Sequence, residues 1–148
     1  VPVHAVEISP DALLLAERNL RTHGACACWT LHCGSWWEPL RPWWGAFDLV
    51  LSNPPYIPSN LIHGLEPVVR DHEPHLALSG GADGLDSVRA VVKDAPRALS
   101  PGGWLLIEHH HDQSDAVVAL MQRVGLSDVD AAPDLQGVMR FAMGRRPL

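Results

Sequence analysis

The residues in this sequence best equipped for chemistry are Asn53, Pro54, Pro55 and Tyr56. An Asn side chain offers an acceptor oxygen and a donor NH₂, and a carbonyl followed by proline is a rigid acceptor. The two prolines remove two backbone donors and fix φ, and Pro54 holds Asn53 in an extended or turn conformation. The result is a stiff corner presenting the Asn53 amide, the carbonyls of Asn53 and Pro54, and the Tyr56 ring.

Two acceptors converging on one substrate NH₂ would fix its orientation, and an aromatic face beside it would cover a flat group. The lone pair of a planar amide nitrogen is delocalised, which makes it a poor nucleophile. Holding both hydrogens while an electrophile approaches from above the plane favours a pyramidal transition state. The natural electrophile is the methyl group of S-adenosylmethionine. The corner alone leaves the substrate open, with adenine in DNA and glutamine in protein both suitable. A proline-rich strand exit without chemistry would use the same residues.

The elements that must position this corner are legible around it. Phe47 to Leu51 is an apolar run of strand formers, which predicts a strand buried on both faces with the corner at its carboxyl end. In open α/β sheets, ligands sit at that edge. His4 to Ile8 predicts a short strand carrying Glu7 near its end. Ser9 then serves as N-cap, Pro10 as first helical residue and Asp11 as dipole partner for a helix to about Thr22, closed by Gly24. Leu13, Ala16 and Leu20 mark its apolar face. Strand, acidic residue and helix in that order suit a carboxylate that accepts from both ribose hydroxyls of a cofactor. A solvated strand-end carboxylate is the other reading of Glu7.

Ala27 to Leu31 predicts a second strand, and Gly34 and Pro39 bracket a loop in which Trp36 or Trp37 could pack on an adenine ring. Core packing of one indole is the alternative. His23, Cys26, Cys28, His32 and Cys33 fit none of the usual paired zinc spacings, so the cysteines read as small buried thiols and no metal is expected.

Ile57 to Asp83 predicts a long irregular segment rich in prolines and ionisable groups, placed as a lid or substrate wall beside Tyr56. The glycines from Gly80 to Gly84 do not follow a strand directly, so they match a dinucleotide loop poorly. They lead into a helix with Leu85, Val88, Val92, Ala95 and Leu99 on one face and Pro96 in its last turn. Ser100-Pro101-Gly102-Gly103 reads as a tight turn into a buried strand, Trp104 to Ile107, that ends at Glu108. His109, His110 and His111 point in different directions and read as a solvated strand exit. Gln113 to Val124 predicts a helix with Ala116, Val117, Leu120, Met121 and Val124 on one side. Leu126–Asp130 and Val138–Met143 predict a closing antiparallel hairpin.

Composition narrows the function. The chain has 148 residues, 47% hydrophobic and 19% charged, which suits one globular domain and argues against disorder. No apolar run approaches the ~20 residues of a membrane helix. A formal charge of −6 disfavours a protein that grips DNA phosphates. Three crowded cysteines suit a reducing compartment, with the cytoplasm as the expected location. The opening Val1-Pro2-Val3-His4 leads directly into a strand-like run and reads as a piece of something longer.

Together these segments resemble the protein-(glutamine-N5) methyltransferases of the HemK type, which modify peptide chain release factors. The resemblance covers essentially the whole chain. It is carried by Phe47 to Pro58, by Val69-Arg70-Asp71-His72-Glu73-Pro74, by Gly80 to Leu85, by Pro101-Gly102-Gly103-Trp104 and by Glu108-His109. The second of these segments separates the family from adenine-DNA enzymes that share the Asn-Pro-Pro-Tyr corner.

The resemblance implies an α/β fold, a Rossmann-like class I methyltransferase sheet of seven strands with a C-terminal antiparallel hairpin, using S-adenosyl-L-methionine. The implied substrate is the glutamine of a Gly-Gly-Gln loop in a class 1 release factor. Glu7 would bind the cofactor ribose, Trp36 would lie on the adenine, and Ser35 would face its amino group. Asn53 and Pro54 would hold the glutamine amide with Pro55 stiffening the turn, and Tyr56 would pack beside it. Asn53 counts among the cofactor-binding residues as well.

The sequence departs from the family at Ser35, where Asp is common, and at His110-His111, where Gly-Tyr is usual. The glycine-rich cofactor loop, the strand before it and a small helical domain would precede Val1. Residues 1–148 are therefore expected to be a partial catalytic domain, inactive alone. The alternatives are methyl transfer to another protein glutamine or to a nucleic-acid amino group, or a noncatalytic remnant.

Overall fold

The computed structural model describes residues 1–24 and 28–148. The chain divides into two compact units, Val1–Trp43 and Trp44–Leu148.

The first unit is built on a parallel pair of strands, β1 (Val3–Glu7) and β2 (Trp29–Cys33), in register from Val3 opposite Trp29 to Glu7 opposite Cys33. Helix α1 (Pro10–Thr22) connects them on its way through the segment that contains Cys26 and Ala27, which lies outside the described residues. Its start is as the sequence dictates: the Ser9 hydroxyl accepts from the Ala12 amide at 3.3 Å, and Pro10 occupies the first turn. Glu17 and Arg21 pair one turn apart at 2.6 Å. Gly24 follows the helix at φ 68°, a left-handed value that glycine adopts without cost. Leu13, Ala16 and Leu20 are the half-buried positions of α1, and none of its residues is fully buried. Strand β2 begins two residues later than the predicted Ala27 start. A 3₁₀ turn, Glu38–Trp43, ends the unit and buries Leu40, and Trp37 just before it is also buried.

The second unit holds a four-stranded mixed sheet in the order β3 (Phe47–Ser52), β4 (Leu99–Glu108), β6 (Met139–Arg145), β5 (Ser127–Pro133). β3 and β4 run parallel, and β6 is antiparallel to both of its neighbours. The hairpin predicted at the C-terminus is present, and its turn is tied by Asp134, whose carboxylate accepts from the amides of Gln136 (2.8 Å) and Val138 (3.0 Å). Short helices α2 (Pro67–Arg70) and α3 (His75–Leu78) and a 3₁₀ turn (Ser59–Gly64) punctuate the segment after the corner. Helices α4 (Asp86–Ala98) and α5 (Ser114–Arg123) complete the unit.

The core lies where α4 and α5 cover the inward residues of β4 and β6. Leu85, Val88, Val92 and Ala95 are buried, as the 3.6-residue spacing predicts, whereas Leu99, expected on the same helix face, is buried as the first residue of β4. They meet Leu105, Ile107, Val117, Met121 and Ala142, each wholly inaccessible. In β4 every second residue from Gly103 to Ile107 is buried, while Trp104, Leu106 and Glu108 stay half-buried on the opposite face.

Several expectations from the sequence are corrected. β3 is not buried on both faces: Leu49 is 54% and Leu51 69% exposed. Among the described residues β3 bonds to β4 alone within its unit, and Leu49 and Leu51 stay open there. Ile57 to Asp83 is not irregular throughout, because its prolines at 58, 67 and 74 stand at the starts of short helical turns. Ser100 to Gly103 is a bulge within β4, between the pairs Phe47–Leu99 and Leu49–Trp104. Gly103 fits there because a Cβ would stand 2.7 Å from the Phe47 carbonyl oxygen. Ala116 of α5 is exposed rather than on the packed side. Cys28 and Cys33 are exposed rather than buried, since they flank and end a strand with little packed over it. Among the described residues no three His, Cys, Asp or Glu side chains group as metal ligands, and no helix is long and apolar enough to cross a membrane.

Candidate active site

In the second unit the corner forms where the sequence places it. β3 stops at Ser52, and the two prolines that follow cannot continue a ladder. Pro54 is buried and Asn53 is exposed, so the amide stands on a fixed pedestal. The Asn53 side chain bonds to none of the described residues, which leaves its oxygen and NH₂ for a ligand.

Three features absent from the sequence reading hold the corner rigid. The first is a short parallel bridge: the Ile57 amide donates to the Leu78 carbonyl at 3.0 Å and the Gly80 amide to the Ile57 carbonyl at 2.9 Å. The second is the glycine run after it. A Cβ on Gly84 would lie 2.3 Å from the Tyr56 carbonyl oxygen, and one on Gly80 2.8 Å from that of Pro55. Gly84 also has φ 76°. These glycines are thus a contact surface for the corner's own backbone, a role with no sequence signature beyond their density.

The third feature is Gln113, 6% exposed at the N-cap of α5. Its Nε2 donates to the carbonyls of Tyr56 (3.1 Å) and Asp83 (3.4 Å), and its Oε1 accepts from the His110 amide at 3.0 Å. The sequence marks Gln113 only as the start of a helix; burial makes it a three-way tie.

Tyr56 is secured at its other end too. Its hydroxyl donates to Glu108 Oε1 at 3.2 Å, and Arg140 of β6 also reaches the phenol oxygen. Burial, and then the negative charge of Glu108, raise the phenol's pKa above its ordinary value, with Arg140 opposing. The His110 ring lies 6.2 Å from the Tyr56 ring and its Nδ1 is 2.6 Å from Asp112 Oδ1. The bond from His110 holds the Asp112 carboxyl below the usual carboxylate range, against a smaller opposing effect of burial.

The predicted solvated exit at His109–His111 is half right. His111 is exposed, but His109 continues the inward alternation of β4 and is wholly buried.

In the first unit the structure gathers Glu7, Ser35 and Trp36 at one end of the β1–β2 pair. Glu7 is half-buried, and its Oε1 accepts from the Ser9 amide at 2.8 Å. Its carbonyl accepts from the Gly34 amide at 3.1 Å, which anchors the Ser35–Trp36 loop beside it. The two indoles separate cleanly. Trp37 is 7% exposed and belongs to the core, whereas Trp36 is 37% exposed and takes φ 48°. A left-handed conformation in a bulky residue is rare and marks a constrained position. A carboxylate with one oxygen uncommitted, a hydroxyl and an open indole fit a nucleoside: diol, amino group and base.

No protein-family model matches the sequence. Over 144 residues the chain is 56% identical to a release factor glutamine methyltransferase of Prochlorococcus marinus, an alignment that takes in 97% of this chain and 49% of that protein. A protein of the same name from Geobacter sulfurreducens is 46% identical over 143 residues, again with 97% and 49% covered. The chain spans about half the length of the curated relatives it matches.

Among solved structures, a methyltransferase from Pyrococcus furiosus superimposes with a TM-score of 0.68 at 17% identity, over 99% of this chain and 64% of that one. The S-adenosylmethionine-dependent methyltransferase SibL gives 0.58 at 16% identity, over 100% and 44%. The catalytic domain of hMettl16, solved with a 3′UTR hairpin, gives 0.71 at 14% identity, over 97% and 55%. At such identities the likeness is one of fold, and that fold is the class I S-adenosylmethionine-dependent methyltransferase fold. Matched along nearly all of its own length by proteins of one name, the chain is a homologue of the release factor glutamine methyltransferases.

Proposed function

We propose that the protein carrying this chain transfers a methyl group from S-adenosyl-L-methionine to the side-chain amide nitrogen of a glutamine, that of the Gly-Gly-Gln loop of a class 1 peptide chain release factor. The observation that carries the reading is the Asn53 amide, exposed and uncommitted on a buried proline pedestal. The name shared by the relatives supports the choice of substrate.

In this reading the Asn53 side-chain oxygen and the Pro54 carbonyl each accept one hydrogen of the substrate NH₂, and Pro55 keeps the two acceptors convergent. Tyr56 covers one face of the carboxamide. With both hydrogens held out of plane, the nitrogen lone pair is freed from the carbonyl and directed at the methyl donor. Glu7 would hold the ribose hydroxyls, Ser35 the adenine amino group and Trp36 the adenine face. The bound cofactor supplies an electrophilic methyl on a positively charged sulfur. The nitrogen gains the methyl and gives up one proton to solvent.

The 148 residues alone are proposed to be an inactive part of a catalytic domain. β1 and β3 each bond to a single neighbour among the described residues, and α1 has no fully buried side chain. The partner is proposed to be the release factor alone, with no membrane and no nucleic acid, in the cytoplasm.

The test uses the whole protein, radiolabelled methyl donor and an intact release factor. The expected product carries label on the Gly-Gly-Gln glutamine, and Asn53→Ala lowers kcat by about 100-fold or more, as loss of a positioned acceptor pair implies. Label on DNA adenine, or turnover unchanged in Asn53→Ala, would overturn the reading.

A further inference from the structure

The mechanism above uses the Tyr56 ring but leaves the groups around its hydroxyl without a role. Glu108 stands at the end of β4, the strand that pairs with β3, and points to the half-buried face of the sheet. Arg140 stands on β6, one residue before the Phe141 that lies opposite Glu108 in the ladder. Arg140 Nε is itself 3.8 Å from Asp134 Oδ2 in the hairpin turn. Two strands, β4 and β6, thus converge on one phenol oxygen. It donates to a carboxylate at 3.2 Å and meets a guanidinium, which uses both its donor and its acceptor capacity.

Two consequences follow. Tyr56 is pinned at both ends, its backbone by Gln113 and its hydroxyl by Glu108, so the ring cannot swing about χ1 without breaking the bond to Glu108. Its one proton is also committed to Glu108, so the hydroxyl cannot donate to a substrate and the ring is the functional part.

We propose that Glu108 is a positioning residue for methyl transfer, acting through the Tyr56 hydroxyl to hold the ring in place beside the substrate carboxamide. The proposal rests on the functional reading above and adds a residue to it. Glu108 makes no contact with substrate or cofactor in this role. Arg140 reaches the same hydroxyl from β6, and the His110 ring, bonded to Asp112, lies 6.2 Å from the Tyr56 ring.

The experiment uses the whole protein labelled with 3-fluorotyrosine, with the Tyr56 signal assigned as the one missing in Tyr56→Phe. ¹⁹F NMR follows its titration in wild type, Glu108→Gln and Glu108→Ala, and steady-state kinetics follows the same variants. Removing the carboxylate should move the Tyr56 titration to lower pH in both variants, because burial and the Glu108 charge are what raise it. Glu108→Ala should lower kcat about tenfold or more and leave the KM for the methyl donor within about twofold. Glu108→Gln, which keeps an acceptor oxygen, should recover part of the lost kcat.

A Tyr56 titration identical in wild type and Glu108→Ala overturns the proposal, as does a kcat within twofold of wild type in Glu108→Ala. A wild-type protein that methylates no release factor, while Glu108→Ala still shifts the titration, overturns the methyl-transfer reading but upholds the clamp on Tyr56.

Discussion

The Nε2 of Gln113 donates to the backbone carbonyl of Tyr56 across 57 positions of sequence, at 3.1 Å, from a side chain only 6% exposed. The same NH₂ reaches the Asp83 carbonyl and the same amide's oxygen takes the His110 amide, so one side chain joins the corner, the glycine loop and the end of β4. Gln113→Leu should lower unfolding free energy by about 1–3 kcal/mol, the cost of leaving buried carbonyls without a donor. Gln113→Glu should be worse, since a carboxylate would face two carbonyl oxygens. Chemical denaturation of the two variants checks the order, and a Gln113→Glu as stable as Gln113→Leu would contradict it.

Gly84 packs against the same carbonyl, beside the Gln113 amide. Its φ of 76° and the 2.3 Å that would separate an added Cβ from the Tyr56 oxygen leave no room for alanine. Neither neighbour is a flexible side-chain end: one is backbone, and the other is the committed Nε2 of Gln113. Gly84→Ala should therefore displace the corner and cost at least about 2 kcal/mol. Gly125, also left-handed but with open space around it, is the control and should lose only about 1 kcal/mol on the same substitution. Equal melting temperatures for the two variants would show that the Gly84 contact is not tight.

His109 presents the opposite case. Its Nδ1 lies 2.8 Å from the His110 carbonyl, which can only accept, so the proton sits on Nδ1 and Nε2 is a bare acceptor. That Nε2 is buried and has no hydrogen-bond partner among the described residues. The His110 carbonyl keeps a second donor, the Gln113 amide at 2.9 Å. His109→Leu removes an orphaned acceptor without creating another, and stability should hold within about 1 kcal/mol of wild type or rise. A loss beyond about 2 kcal/mol in a thermal melt would show that Nε2 has a partner, such as a buried water.

Acid should loosen the glycine loop. Hydrogen bonds from Arg89, then that from the Leu85 amide, hold the Asp83 carboxyl at about 2, against an ordinary 3.8. The folded value lies below the unfolded one, so this contribution is whole above pH 3.8 and is lost as the pH falls toward 2. Both side chains are about half exposed, so solvent screening limits the pair to under about 1 kcal/mol. Asp83→Asn should be less stable than wild type at pH 6, with the gap closing by pH 2 and shrinking in about 1 M salt. A gap that is independent of pH would assign the effect to the loop's backbone instead.

Much of this protein was written locally in its sequence. Ser9-Pro10-Asp11 starts α1, the Leu85–Ala95 spacing buries one face of α4, and Asp134 with Gly137 turns the closing hairpin, because each depends on residues a few positions apart. The corner at Asn53 is of the same kind, since proline imposes its geometry wherever it stands.

What only the tertiary structure decided is every tie that spans distant segments: Gln113 to Tyr56, Glu108 to Tyr56, and Gly80 and Gly84 against the backbone of the corner. It also chose Trp37 over Trp36 for the core, placed His109 inside, and left Leu49 and Leu51 uncovered in their unit. Burial is a property of what packs against a residue. Periodicity reveals which face an element turns inward, but not which partner waits there or whether any partner covers it.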